Sequence, residues 1–276
     1  GGDKNGYAAR YKNGFMEKET SFICLHVAGK AWHKPGRYGS FVGHALKRGT
    51  LAAGIVREAN DIDHVKIIQS GLNSLRHFGK ESRPQFQLKT LKEGIETASA
   101  LGLKTMVHAN GILPVQMALE AGCTSIEHGF FMGMKNLSHM AERQVFWVPT
   151  AGTMKAFAEY AGEREEARIM ALKNLDHQLT QMSAARKLGV PIALGTDSGG
   201  MGVHHGGAVI EELRLFLHAG FSVEEAIRCA SRNTMNLMGL HRKGLIKKGM
   251  TADFIAVKGP PSALPESLND IYRIHA

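Results

Sequence analysis

The chain has 276 residues, 43% of them apolar and 21% charged, which are the proportions of a soluble globular protein with an ample core. Its formal charge is +9, but the basic residues are scattered and only 7% of the chain is aromatic, so nucleic-acid binding is not expected. No apolar run reaches the ~20 residues that cross a bilayer, and Cys24, Cys123 and Cys229 are far apart with no Cys-x-x-Cys, which argues against a disulfide framework or a zinc finger.

The opening "GGDKNGYAARYKNG" is polar, lacks an initial methionine and reads as a loop or the cut end of something longer. A cytoplasmic location is the expectation, a signal peptide not being observable where the N-terminus is expected to lie before residue 1. From residue 22 a short apolar strand, a loop and a helix recur. "FICLHVAG" (22–29) is the first expected strand, followed by a loop and a helical stretch to about residue 60. "HVKIIQS" is the second strand. Alternation there places Val65 and Ile67 on one face and His64, Lys66 and Ile68 on the other. A lysine inside such a run either keeps its head in water at a strand edge or is buried with a partner. "TLKEGIETASALG" and "ILPVQMALEAG" are helices, followed by the strands "LKTMVHA" and "TSIEHG". "NLSHMAERQ" and "VFWVPT" give a helix and a strand, residues 158–189 hold one or two helices, and "VPIALGTDSG" is the last strand. Gly102, Gly122 and Gly189 stand where left-handed helix stops are expected. Two amphipathic helices follow, the second opened by a Ser222/Glu225 capping box. "LIKKGMTADFIAVKG" then changes character to a turn and a strand, a small β element.

Strands alternating with helices imply parallel pairing, in an open doubly wound sheet or a closed barrel. There is no Gly-x-Gly-x-x-Gly and no Walker A sequence, and the polar residues fall at the C-terminal ends of the strands, where barrels carry function. Those ends present Lys66, His108, His128 and Asp197, separated by 42, 20 and 69 residues in sequence. Imidazole nitrogen and carboxylate oxygen suit zinc and similar ions. An ammonium has no lone pair, so Lys66 could join them only if neutral or converted to an anionic carbamate. Each residue also has a plainer reading, the histidines as structural hydrogen-bonding groups and Asp197 as a turn aspartate.

The stretches "VHANG", "SIEHG", "VFWVPT" and "PIALGTDSG", with "AIRCASRNTMNLMGL" and "GLIKKGMTADFIAV" behind them, resemble the amidohydrolase superfamily, in its imidazolonepropionase-like and metal-dependent prolidase-like branch. The resemblance implies a distorted (β/α)8 TIM-like barrel with a β-sandwich, and hydrolysis of amide or related bonds at one or two divalent metals, zinc first among them. It implies His108, His128 and Asp197 as metal ligands, Lys66 as a carboxylated bridging lysine, Asp197 as the proton shuttle and His128 as a further catalytic group. His204 and His205, in "GMGVHHGGA", and Tyr11, Arg37 and His33, near the first expected strand, are candidates for substrate contact.

One feature departs from the resemblance: the His-x-His pair expected after the first barrel strand is absent. Counting strands backwards from "PIALGTD" makes "FICLHVAG" the third, so the first two are expected before residue 1. The expected organisation is a partial barrel over 1–245 and a partial sandwich over 246–276. Two ions are expected in an intact parent and at most one here. The expected activity of the intact parent is a metal-dependent amide or peptide hydrolase, such as a dipeptidase or acyl-amino-acid hydrolase, with little or no hydrolysis expected of this chain alone. The rivals are a deaminase or cyclic-amide hydrolase on the same scaffold, of which Lys66 disfavours the single-metal deaminase, and a non-catalytic metal-binding or structural fragment. Expected partners are a small-molecule or short-peptide substrate and, across strand edges left open, further copies in a homo-oligomer; neither nucleic acid nor membrane is expected.

Overall fold

The structure, a computed structural model, describes residues 2–16 and 25–275. The chain divides into two compact units, one of residues 1–73 and 80–139, the other of residues 74–79 and 140–276.

The first unit begins with helix α1 (Tyr7–Met16). Its first turn is closed by Asp3, which accepts hydrogen bonds from the backbone N–H of Asn5 and Ala8. The unit then holds strands β1 (Ala31–His33), β2 (Gly43–Ala45), β3 (His64–Ile68), β4 (Lys104–Ala109) and β5 (Ser125–His128). They pair in the order β2-β1-β3-β4-β5, all parallel. Helices α2 (Leu51–Glu58), α3 (Leu88–Ala100), α4 (Ile112–Glu120) and α5 (Gly133–Arg143) lie between or after the strands. Gly102 and Gly122 end α3 and α4 at φ 72° and 85°, the left-handed conformation that only glycine adopts cheaply.

The start of the sheet differs from the sequence expectation. Residues 22–24 of the expected first strand lie outside the described residues, and residues 25–29 are not strand. Val27 is held beside the entrance to β3 by Asp63, whose N–H donates to the Val27 carbonyl at 2.8 Å and whose carboxylate accepts from the Val27 N–H at 2.7 Å. Gly29, at φ 59°, then turns the chain, so pairing starts only at Ala31.

Register separates the two faces of this sheet. Trp32 pairs with Ile67, so the two share a face with Val65, and a Cβ added to Gly54 of α2 would stand 2.5 Å from the Trp32 ring. That face, continued by Val107 and Ile126, is the helix side and is fully buried. The other face carries His64, Lys66, Met106, His108, Ser125 and Glu127.

The second unit contains β6 (Phe146–Val148), α6 (Gly152–Glu159), α7 (Glu165–Leu188), α8 (Gly207–His218), α9 (Val223–Arg228) and α10 (Thr234–Met238). A five-residue π-helical turn, Cys229–Asn233, joins α9 to α10. Gly189 ends α7 in the left-handed region, and the Ser222/Glu225 capping box is present with both of its hydrogen bonds. Strands β7 (Phe254–Val257) and β8 (Ile271–His275) form an antiparallel pair at the C-terminal end of this unit. The expected last strand of the repeat is extended but joins no regular ladder; Ile192 makes an isolated parallel bridge to Trp147. Cys123 and Cys229 are free and buried, and Cys24 lies outside the described residues. Among the described residues no helix is long and apolar enough to cross a membrane.

Candidate metal centre

Lys66, His108 and His128 come from three neighbouring strands of the first unit. Lys66 lies at the middle of β3, only 9% exposed, and makes no hydrogen bond or ion pair among the described residues. The side chain is thus largely enclosed, with no partner for its amine among the described residues. Met106 is its partner in register, which puts His108, two residues on, over the same face.

His108 is 4% exposed and its orientation is set by a polar collar. Its Nε2 donates to the carbonyl of Gly71 at 3.1 Å, which leaves the ring's in-plane lone pair on Nδ1. The Gly71 carbonyl also receives Ser70 Oγ at 3.0 Å and Asn110 Nδ2 at 3.2 Å, and the Asn110 N–H donates to Ser70 Oγ at 2.8 Å. "QSG" and "HANG" thus act together, one strand supplying the carbonyl that orients the other's imidazole.

His128 pairs in register with Ala109, which would send its ring to the helix side. Its φ of 68° reverses that direction, and its ring meets His108 edge-on with centroids 4.6 Å apart. Such a conformation is uncommon outside glycine and clusters at functional sites. Burial first, and then the positive charge of Lys66, push His128 down to about 3, so its imidazole is neutral near pH 7, the form that ligates metals. Two neutral-capable imidazoles beside a buried lysine with no acceptor fit a divalent cation, provided the lysine is anionic. His and carboxylate alone do not make the set, since no three His, Cys, Asp or Glu side chains converge among the described residues.

Asp197 belongs to the second unit. It is exposed, in the left-handed region at φ 53°, and its carboxylate makes no hydrogen bond among the described residues. Next to it Thr196 and Ser198 share a hydroxyl–hydroxyl bond of 2.7 Å. Thr150, two residues past β6, is the third strand-end residue with positive φ, at 48°.

A cavity of about 200 Å³ in this unit is lined by Lys155, Glu159, Thr196, His204, Glu211 and Glu212, among others. His204 Nε2 lies 3.4 Å from the Tyr160 hydroxyl; His205 is exposed in the same loop. Glu212 is fully buried, and its two oxygens accept the N–H groups of Ala151 and Gly152, both at 2.8 Å, at the start of α6. Burial raises Glu212 to about 7 against the effect of those two donors, with Glu211 adding to the rise. Neither Glu212 nor this cap was visible in the sequence, because its partners are backbone groups 60 residues away.

Helix α1, which carries the exposed Tyr11, is tied by Lys12 to Asp63 at 2.6 Å, at the N-terminal end of β3 and away from the ends bearing His108 and His128. Arg37 is exposed and donates to the Arg83 carbonyl at 2.7 Å. His33 Nδ1 bonds the Lys34 carbonyl. The residue of that loop that does reach the histidines is Tyr38, whose ring lies 5.2 Å from that of His108. An aromatic next to Arg37 in a Gly-rich loop gave no sign of this in the sequence.

The family model for the amidohydrolase family matches residues 33–274. Ochratoxinase of Aspergillus niger is 30% identical over 184 residues, which are 64% of this chain and 37% of that protein. Among solved structures, a Xaa-Pro dipeptidase with bound methionine in its active site superposes at a TM-score of 0.84 with 26% identity, over 99% of this chain and 71% of that one. The A. niger ochratoxinase crystal structure superposes at 0.81 with 21% identity, over 99% and 69% of the two chains. This chain therefore spans little more than a third of the curated relative's length. The alternation of parallel strands and helices, the histidines at the ends of β4 and β5 and the match over most of the sequence lead to one conclusion: the chain belongs to the amidohydrolase family.

Proposed function

We propose that this chain carries the catalytic centre of a metal-dependent hydrolase that cleaves an amide or peptide bond in a small substrate such as a dipeptide or an acyl amino acid. The observation that supports it most directly is Lys66, buried, unpartnered among the described residues, and on the same sheet face as His108. The Lys66 side chain is largely enclosed, and its amine has no acceptor among the described residues. A carbamate on Nζ removes the positive charge and supplies two oxygens. Lys66 in that form, His108 and His128 would hold a divalent cation, zinc in the first instance. Bound there, such an ion supplies Lewis acidity toward the scissile carbonyl and lowers the pKa of water.

The chain's own residues do the rest. The Ser70–Gly71–Asn110 collar fixes His108, and the left-handed turn at His128 brings the second imidazole to it. The Asp197 carboxylate takes the proton from the attacking water and returns it to the leaving nitrogen. The dipeptide class is supported by the likeness to the Xaa-Pro dipeptidase structure.

The test is metal analysis after dialysis, paired with hydrolysis of a panel of Xaa-Pro dipeptides and N-acetyl amino acids, on the chain and on its Asp197→Asn variant. About one tightly held divalent ion per chain is expected, and Asp197→Asn should fold normally while losing a factor of ~10² or more in turnover. Metal-free protein after loading with zinc, or undiminished turnover in the variant, would sink the reading.

A further inference from the structure

We propose that Asn233, through the π-helical turn that contains it, is a positioning residue for Asp197. The role rests on the hydrolase reading above, in which Asp197 moves the proton.

An extended segment, residues 191–194, leads to Asp197. On one side Trp147 of β6 serves it as a parallel strand does: the Trp147 N–H donates to the Pro191 carbonyl and the Ala193 N–H donates to the Trp147 carbonyl, both at 2.9 Å. The Ile192 carbonyl and the Leu194 N–H point the other way, where a second parallel strand would offer one donor and one acceptor from a single residue. Among the described residues of this unit no strand stands there. Instead the Leu194 N–H donates to the carbonyl of Cys229 at 3.0 Å, and the Ile192 carbonyl accepts from Asn233 Nδ2 at 2.7 Å. The opening carbonyl and the closing side chain of the π turn together imitate one residue of a neighbouring strand.

The turn is built for this. In a regular α-helix the Cys229 carbonyl would be taken by the backbone four residues on. The widened turn lets it serve Leu194, while Thr234 Oγ1 gives it a second bond at 2.7 Å. Insertions of this kind recur at functional sites. The Asn233 amide also lies 3.8 Å from Cys229 Sγ, so its side chain spans the turn it closes. On the side-chain level Ala193 packs with Val148 and Leu237 of α10. Gly195, where a Cβ would stand 2.5 Å from Val148, keeps the segment close to β6. Asp197 follows two residues later with its backbone in the left-handed region, so the 192–194 edge is the anchored segment immediately before it.

The experiment uses the whole chain loaded with zinc. Asn233→Asp keeps the shape but turns an acceptor toward the Ile192 carbonyl; Asn233→Ser serves if that variant does not fold. Hydrogen exchange of the peptide covering 191–198 is measured with turnover of Met-Pro. The lost bond should speed exchange in that peptide about 10-fold while α7 is unchanged, and kcat should fall about 10-fold with KM held. Unchanged exchange in 191–198 would overturn the proposal. So would faster exchange with kcat intact in a protein whose Asp197→Asn variant is inactive. If Asp197→Asn keeps full turnover, Asp197 does not move the proton and the positioning role falls with it, while the exchange data separately report whether Asn233 holds the edge.

Discussion

Replacing Glu212 by glutamine should make the stability of the second unit less dependent on pH. Glu212 is 1% exposed, and burial is the largest influence on it, outweighing the Ala151 and Gly152 donors at the start of α6. In the unfolded chain the carboxyl releases its proton near 4.5, and in the folded chain at about 7. Between those values the native state binds the extra proton, so the free energy of unfolding falls as pH rises through the window and levels off above it. At ~1.4 kcal/mol per pH unit, the displacement from 4.5 to about 7 amounts to about 3 kcal/mol. The amide of the Glu212→Gln variant has no proton to release in this range. The assay is urea unfolding of both proteins at pH 4.5 and pH 8, compared as a difference so that every other titrating group cancels. Wild type minus variant should drop by about 3 kcal/mol on going to the higher pH. A flat difference would refute the reasoning. A rise would show that the two N–H donors and the helix N-terminus outweigh burial and hold the carboxylate ionised.

Lys66→Met should abolish tight metal binding while leaving the metal-free fold at least as stable, since the largely enclosed side chain makes no hydrogen bond or ion pair among the described residues that the change would break; a destabilised but metal-loaded variant would contradict this. Native mass analysis of the zinc-loaded protein under non-acidic conditions should show a carboxylate added at Lys66, and an unmodified lysine in metal-loaded protein would remove the carbamate. Gly54→Ala should cost about 1–3 kcal/mol, because its Cβ would stand 2.5 Å from the buried Trp32 ring, and thermal unfolding reads the loss.

Much of the architecture was readable from local signals. The helix stops at Gly102, Gly122 and Gly189 and the Ser222/Glu225 cap are short-range features, and each is present. Lys66, His108 and His128 stand out in the sequence as candidates, and the structure puts them on adjacent strands. What the sequence did not show depends on distant partners. The expected strand at 22–29 had the right apolar pattern, but Asp63 and the turn at Gly29 decide where pairing begins. Tyr38 reaches His108 through a loop braced by Gln85, whose side chain bonds the Tyr38 and Ser70 carbonyls. The π turn leaves no pattern in "CASRN", and the reversal at His128 cannot be seen in an alternating strand.

The two faces of the β1–β5 sheet carry different duties. Val65, Ile67, Val107 and Ile126 face the helices and are wholly buried, and their removal from water drives this unit's folding. His64, Lys66, His108 and Glu127, on alternate positions of the same strands, add little to that drive. Polar and apolar duties are therefore interleaved residue by residue along the same strands. On the hydrolase reading proposed above, substitutions on the polar face would alter which ion or substrate is accepted while leaving the apolar face untouched. Such a sheet can be retuned through many single steps, each leaving a folded protein for the next to act on.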